Sequence, residues 1–193
     1  NERNFLFHFM DQSKVYFEFG SGGSTYQALK RNLKIFSVES DINWHQKIEK
    51  DVKKYSSIIN SYYQKNHIDL AFSPDITFLT VDLHSPPNSW GWPGKNVTFE
   101  KCLRYIRAYN HTKYKADLIL IDGRFRVACA LNVAKQINAD VTVIWHDFVP
   151  RDFYHITLNY YQIIDSVDTI VALKLRPNYF NLNILDRYEK TPK

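Results

Sequence analysis

His146 and Asp147 close one apolar run, Val141-Thr-Val-Ile-Trp145, and Asp122 closes another, Leu118-Ile-Leu-Ile121. An imidazole beside carboxylates is suited to moving protons, because the acid group orients the ring and favours its charged form. His146 is therefore a candidate base, with Asp147 or Asp122 as its orienting partner. Arg124 and Arg126 follow Asp122 directly and read equally as ion-pair partners for a carboxylate or as a clamp on a polar or anionic ligand. Trp90 and Trp92, in Trp90-Gly-Trp-Pro93, and Tyr154 offer aromatic faces that could floor a ligand site or simply pack a lid shut.

A second signal lies nearer the start. Val15-Tyr-Phe-Glu-Phe-Gly-Ser-Gly-Gly-Ser-Thr25 reads as a strand, a glycine-rich turn and a helix beginning near Ser24. Such a turn lets backbone approach a ligand closely, and the helix start offers free N–H donors. The next apolar run ends in Glu39, 19 positions after Gly20, where a carboxylate can accept both hydroxyls of a ribose. A nucleoside-containing ligand is the natural reading. Thr25 stands where the dinucleotide pattern G-x-G-x-x-G has its third glycine, and Glu18 precedes the turn, where a carboxylate suits a cationic ligand better than a pyrophosphate.

The elements that must position these groups are legible as alternation. Apolar runs at Val15 to Phe19, Ile35 to Glu39, Ile76 to Val81, Leu118 to Ile121 and Val141 to Trp145 alternate with amphipathic stretches, the pattern of βαβ units around a parallel sheet. Phe99, Cys102, Leu103 and Ile106 fall at helical spacing, as do Val127, Ala130, Leu131 and Ala134, and Phe153, Ile156, Tyr160 and Ile163. Thr169 to Leu173 and Phe180 to Asp186 read as two strands joined through Arg176-Pro-Asn-Tyr179, a hairpin that makes the last strand antiparallel. The longest irregular stretch, His84 to Lys95, is a candidate functional loop.

Glu18-Phe-Gly-Ser-Gly-Gly23, Glu39, Asp122 and the terminal hairpin together resemble a class I S-adenosylmethionine-dependent methyltransferase over residues 12 to 187. The resemblance implies a Rossmann-like α/β fold, with helices on both faces of a mostly parallel seven-stranded sheet of order 3-2-1-4-5-7-6. It implies that Glu18, Gly20, Ser21, Gly22 and Gly23 hold the methionine part of the cofactor, Glu39 the ribose and Asp82 the adenine, with Ser24 and Asp122 at the same cofactor site. Ser24 replaces a glycine common in the family. Asp82 also reads as a turn cap. Transfer of a methyl group to an alcohol oxygen requires loss of the hydroxyl proton, hence a base such as His146 or a metal. Asp122 and Asp147 also resemble the positions that hold a divalent cation, Mg2+, in metal-dependent small-molecule O-methyltransferases. Trp90-Gly-Trp-Pro93 and Ile121-Asp-Gly-Arg-Phe-Arg-Val-Ala-Cys129 are similar to a further branch of the superfamily, and the whole resembles the methyltransferase module of glycan-assembling enzymes of large DNA viruses. Aromatic and polar residues without a basic groove rank a glycan sugar hydroxyl first as acceptor, bound by Trp90, Trp92, Arg124, Arg126 and Tyr154, and the likeness fits transferase domains as covalent neighbours. A phenol or natural-product O-methyltransferase, an NAD-dependent oxidoreductase and a non-catalytic cofactor-binding module are the alternatives.

Composition bounds the rest. The 193 residues read as one domain, 1 to 193, and the start at Asn1 reads as a chain processed or cut from something longer. Two cysteines, Cys102 and Cys129, sit in apolar-patterned segments and read as buried thiols. No apolar run spans a bilayer and no signal segment opens the chain, which points to a cytoplasmic protein with no membrane partner. The net +5 is dispersed, and Lys47, Lys50, Lys53 and Lys54 fit the wet side of one helix, so no nucleic-acid surface is expected.

Overall fold

The computed structural model describes residues 1–89, 91–177 and 182–190. A helix, α1 (Glu2–Asp11), precedes β1 (Val15–Phe19), α2 (Gly23–Lys30), β2 (Lys34–Glu39), α3 (Ile42–Lys65) and β3 (Ile76–Thr80). After the long loop come α4 (Phe99–Ile106), β4 (Leu118–Ile121), α5 (Arg126–Ala134) and β5 (Thr142–Trp145), then the strands β6 (Tyr161–Val167) and β7 (Ile170–Leu175), and α6 (Leu182–Lys190). The seven strands form one sheet, β3-β2-β1-β4-β5-β7-β6, in which β1 to β5 run parallel and β7 is antiparallel to β5. This is the expected fold class and order.

The period of two along each strand sorts the core into two layers. Phe17, Phe19, Ile119, Ile121, Val143 and Trp145 face a layer covered by α4, α5 and α6, while Tyr16, Ile35, Leu118, Leu120 and Ile144 face a layer covered by α1, α2 and α3. Cys102 and Cys129 are both free and buried. Lys47, Lys50, Lys53 and Lys54 are exposed on α3, as their pattern suggested. Among the described residues no helix is long and apolar enough to cross a membrane.

Three elements differ from the sequence reading. The hairpin is β6–β7, closed by Asp168 and Thr169 with Asp168 at φ +52°. The stripe Phe153, Ile156, Tyr160, Ile163 is a 3-10 segment (Asp152–Asn159) that runs into β6, whose residues Gln162 to Ser166 are exposed. An edge strand exposed on both faces has no buried side to impose alternation, so its period-two signal is missing. The segment from Leu182 is helix α6 instead of a strand: Ile184, Leu185 and Tyr188 pack on the core, and Glu189 pairs with Arg107. Phe180 and Asn181 of the proposed strand lie outside the described residues.

Candidate functional site

The glycine turn is built from beneath. Glu18 lies on the Tyr16 side of β1, so its carboxylate points into the α2 layer and is 0% exposed. It accepts hydrogen bonds from Tyr16 Oη (2.9 Å), Ser24 Oγ (2.6 Å), Ser37 Oγ (2.6 Å) and Thr25 Oγ1. Burial pushes its pKa up, against the pull of these four hydroxyls. Glu18 therefore lines neither of the two cavities beside the turn; it ties the first turn of α2 to β1 and β2, which differs from a direct ligand contact.

Above it, Gly20 has φ +95°, and a Cβ there would sit 3.1 Å from the backbone of Gly123. Gly123 is more constrained still, because a Cβ would come within 2.0 Å of Tyr105 Oη. Close approach of the β1 and β4 termini thus demands both glycines. Gly22 and Gly23 are different: a Cβ at either meets nothing within 4 Å. Their bare backbone faces open space, and Ser21, Gly22, Gly23 and Ser24 line a cavity of about 760 Å3 beneath α1.

A second cavity, of about 810 Å3, opens over Gly20 and Ser21 and runs from Glu39, Ser40, Asp41 and Trp44 at the end of β2 to Asp122, Arg124 and His146 at the ends of β4 and β5. Both cavities share Gly20, Ser21, Asp122 and His146. Their sizes fall within the range of small-molecule sites. Glu39 Oε1 accepts from the amides of Ser40 (2.6 Å) and Asp41 (2.9 Å) and from Ser40 Oγ (3.2 Å), while Oε2, among the described residues, takes only the Ser21 amide (3.0 Å). Burial raises its pKa, opposed by these amides. Oε2 keeps a lone pair for a ligand hydroxyl. Trp44 donates Nε1–H to Ser21 O at 2.8 Å, so its indole is fixed beside the turn.

At the far end the charges interlock. His146 Nδ1 lies 3.0 Å from Asp122 Oδ1 and 3.9 Å from Asp147 Oδ1, and Nε2 lies 3.3 Å from Glu2 Oε2 of α1. The Asp122 hydrogen bond, partly opposed by desolvation and helped by the charges of Asp122, Asp147 and Glu2, lifts the imidazole to about 9. His146 is therefore an imidazolium at neutral pH, a proton donor that becomes a base only in alkaline solution. Asp147 has φ +57° and Phe125 φ +52°, so the chain is turned sharply just past both strands. Left-handed backbone is rare for a bulky residue such as Phe and marks strain, here beside a polar cluster.

Arg126 is 6% exposed and fully engaged: Nε on Gly123 O (3.0 Å), Nη1 on His146 O (2.6 Å), Nη2 on Asp122 O (3.1 Å). It also pairs with Asp122 Oδ1 at 2.9 Å and reaches Asp147 Oδ2 at 3.7 Å. Arg126 thus bolts the β4 and β5 ends together and is no ligand clamp. Its guanidinium lies between the two carboxylates that were to hold Mg2+, a fixed cation where a divalent ion would need open oxygen ligands. The residues present do not fit Mg2+, and among the described residues no group of three or more His, Cys, Asp or Glu could hold a metal ion.

The remaining expected residues divide. Arg124 and Trp92 line the larger cavity, the guanidinium carbon 5.0 Å from the indole centroid, and Trp92 is 61% exposed. Tyr154 does not reach it: at 4% exposure it packs on Trp145 and Phe148, and its hydroxyl accepts from Arg151. Asp82 lines neither cavity; it accepts the His84 amide (2.8 Å) and pairs with the His84 ring, the turn-cap role. Trp90 lies outside the described residues. The sequence reading missed Glu2, Trp44, Gly123 and Arg151. Arg151, four residues after Asp147 and 2.9 Å from its Oδ2, was detectable as an i,i+4 pair, whereas nothing local marks Glu2.

With this geometry the chain can be set beside known proteins. No protein-family model matches it, and no curated protein does. Among solved structures it is similar to a methyltransferase-like protein from Silicibacter pomeroyi, with a TM-score of 0.73 and 24% identity over 100% of this chain and 94% of that one. It also resembles an SAH-bound methyltransferase of Podospora anserina, with a TM-score of 0.56 and 10% identity over 91% of this chain and 78% of that one. The fold is that of the class I methyltransferases. On that fold the larger cavity lies outside the carboxyl ends of β2, β1, β4 and β5, where winding reverses at β1 and β4 and ligands of open α/β sheets collect.

Proposed function

We propose that this chain is an S-adenosylmethionine-dependent methyltransferase whose acceptor is a hydroxyl of a small polar molecule, a sugar in a glycan or glycoconjugate. The observation that carries the proposal is the cavity that runs from Glu39 over Gly20 and Ser21 to His146, on a methyltransferase fold. The residues present fit the cofactor. Glu39 Oε2, beside its bond from the Ser21 amide, has a lone pair left for a ribose hydroxyl, Trp44 offers an aromatic wall beside it, and the adjoining cavity over Gly22 and Gly23 admits the methionine end. When bound, the cofactor supplies a methyl group on a sulfonium, an electrophile that the carboxylates of Glu39 and Asp41 in the cavity favour by charge. Thr25 in place of the third glycine of the dinucleotide turn argues against NAD.

His146 stands where the two cavities meet and, in the neutral form that its raised pKa reserves for alkaline solution, is the group that would receive the acceptor proton, with Asp122 holding the ring. Trp92 supports a sugar, since an indole face packs the C–H side of a pyranose while polar groups hold its hydroxyls. One observation favours a second reading. His146 stays protonated up to about 9, and a phenol, being more acidic than a sugar hydroxyl, needs less help from a base.

Calorimetry with S-adenosylmethionine, S-adenosylhomocysteine and NAD tests the cofactor. We expect binding of the first two only, weakened roughly tenfold to a hundredfold by Glu39→Ala, the cost of charge-assisted hydrogen bonds. Tight NAD binding or an unaltered affinity in that variant would sink the assignment. Labelled methyl transfer to sugar, phenol and RNA panels tests the acceptor; transfer confined to phenols or RNA refutes the sugar.

A further inference from the structure

Three arginines stand at the acceptor end of the larger cavity, and two are spoken for. Arg126 spends its donors on three carbonyls and Asp122, and Arg151 binds Asp147 and the Tyr154 hydroxyl. With His146 protonated, Arg126, Arg151 and His146 balance Asp122, Asp147 and Glu2, so the cluster is closed in charge. Arg124 stands outside it. Among the described residues its guanidinium meets no carboxylate and no hydrogen-bond acceptor; its neighbours are the Trp92 ring at 5.0 Å and the phenols of Tyr105 and Tyr154. It is half-buried, and burial together with the charge of Arg126 lowers its pKa from the usual value. A cation held partly out of water without a counter-charge is costly, and contact with an indole face compensates little of that while leaving the fork of N–H donors unused.

We infer that the acceptor is itself an anion and that Arg124 holds its negative group, a carboxylate or a phosphate, against the Trp92 end of the cavity. A guanidinium matches either group with two parallel hydrogen bonds, and the neighbouring indole limits where the plane can lie. Among sugars this selects acidic ones, uronic acids or sugar phosphates, over neutral hexoses. The inference rests on reading this cavity as the acceptor site of the proposed methyltransferase.

Binding separates it from that reading, because it is measured without turnover. Methyl β-glucuronide, glucose 1-phosphate and methyl β-glucoside are titrated by calorimetry into the full chain loaded with S-adenosylhomocysteine. At least one anionic probe should bind roughly tenfold or more tightly than the neutral glucoside, the scale of a charge-assisted bidentate contact, and which one does so identifies the group. Arg124→Gln should erase the preference, and Arg124→Lys, which keeps the charge but not the fork, should restore part of it. S-adenosylhomocysteine affinity and thermal unfolding report that the variants are intact. Equal binding of the three probes, binding of none, or a preference that survives Arg124→Gln overturns the inference. Failure of the wild type to bind S-adenosylhomocysteine strikes the methyltransferase reading instead, and the three probes are then compared on the unloaded chain.

Discussion

Replacing Asp122 by Asn keeps the shape of the side chain at 3.0 Å from His146 Nδ1 and removes its charge. That hydrogen bond and charge are the leading causes of the imidazole's rise from 6.5 to about 9, with Asp147 and Glu2 contributing less. An opposite charge at this distance is worth roughly one to three pH units, so in Asp122→Asn the ring should titrate one to two units lower, near 7 to 8. At pH 7.5 the neutral fraction then climbs from about 3% to about a quarter or more. Stability follows with a definite sign. A histidine whose pKa is raised in the folded state stabilises fully below its unfolded pKa, and that stabilisation is lost as pH rises through the folded one. The gap in unfolding free energy between wild type and His146→Gln should therefore shrink between pH 6.5 and about 10. With the side chain 35% exposed, solvent screening reduces the effect to on the order of 1 kcal/mol. NMR titration of the histidine ring protons, assigned with His146→Gln, and urea denaturation across the pH range supply both measurements. A wild-type ring titrating near 6.5, an unmoved ring in Asp122→Asn, or a gap that widens with pH would refute the argument.

Gly123→Ala should destabilise the fold by several kcal/mol, since its Cβ would overlap the Tyr105 hydroxyl, while Gly22→Ala should leave unfolding within about 1 kcal/mol and weaken cofactor binding; thermal unfolding and calorimetry separate the two. Arg126→Met should cost about 3 kcal/mol or more in denaturant unfolding, because Asp122 and Asp147 lose their shared cation; a neutral change would mean the bolt carries no stability. Methyl transfer should be insensitive to EDTA, given the guanidinium between those carboxylates, and restoration by added Mg2+ after chelation would show that Arg126 can move aside.

Much was written in the chain itself. The five parallel strands, α4 and α5 came from local periodicity, because a strand buried on both faces is a short apolar run and a covering helix carries one stripe. Gly20, Glu39, Asp122 and His146 were legible because strand ends and glycines mark the rim of an α/β sheet before any contact is known. What only the tertiary structure decided is which partner each polar group has. Glu18 looked like a ligand until the period-two register turned it into the α2 layer among four hydroxyls. Arg124 and Arg126 are indistinguishable in sequence, yet the left-handed turn at Phe125 lies between them, one fills the gap between Asp122 and Asp147 and the other is left facing Trp92. Glu2 meets His146 from 144 positions away in the chain. Periodicity records which face of an element is buried, and that is a local property of the chain. Charge compensation depends on groups brought together by the whole fold, and for that reason the sequence pointed to the rim of the sheet while the structure decided the partner of each polar group along it.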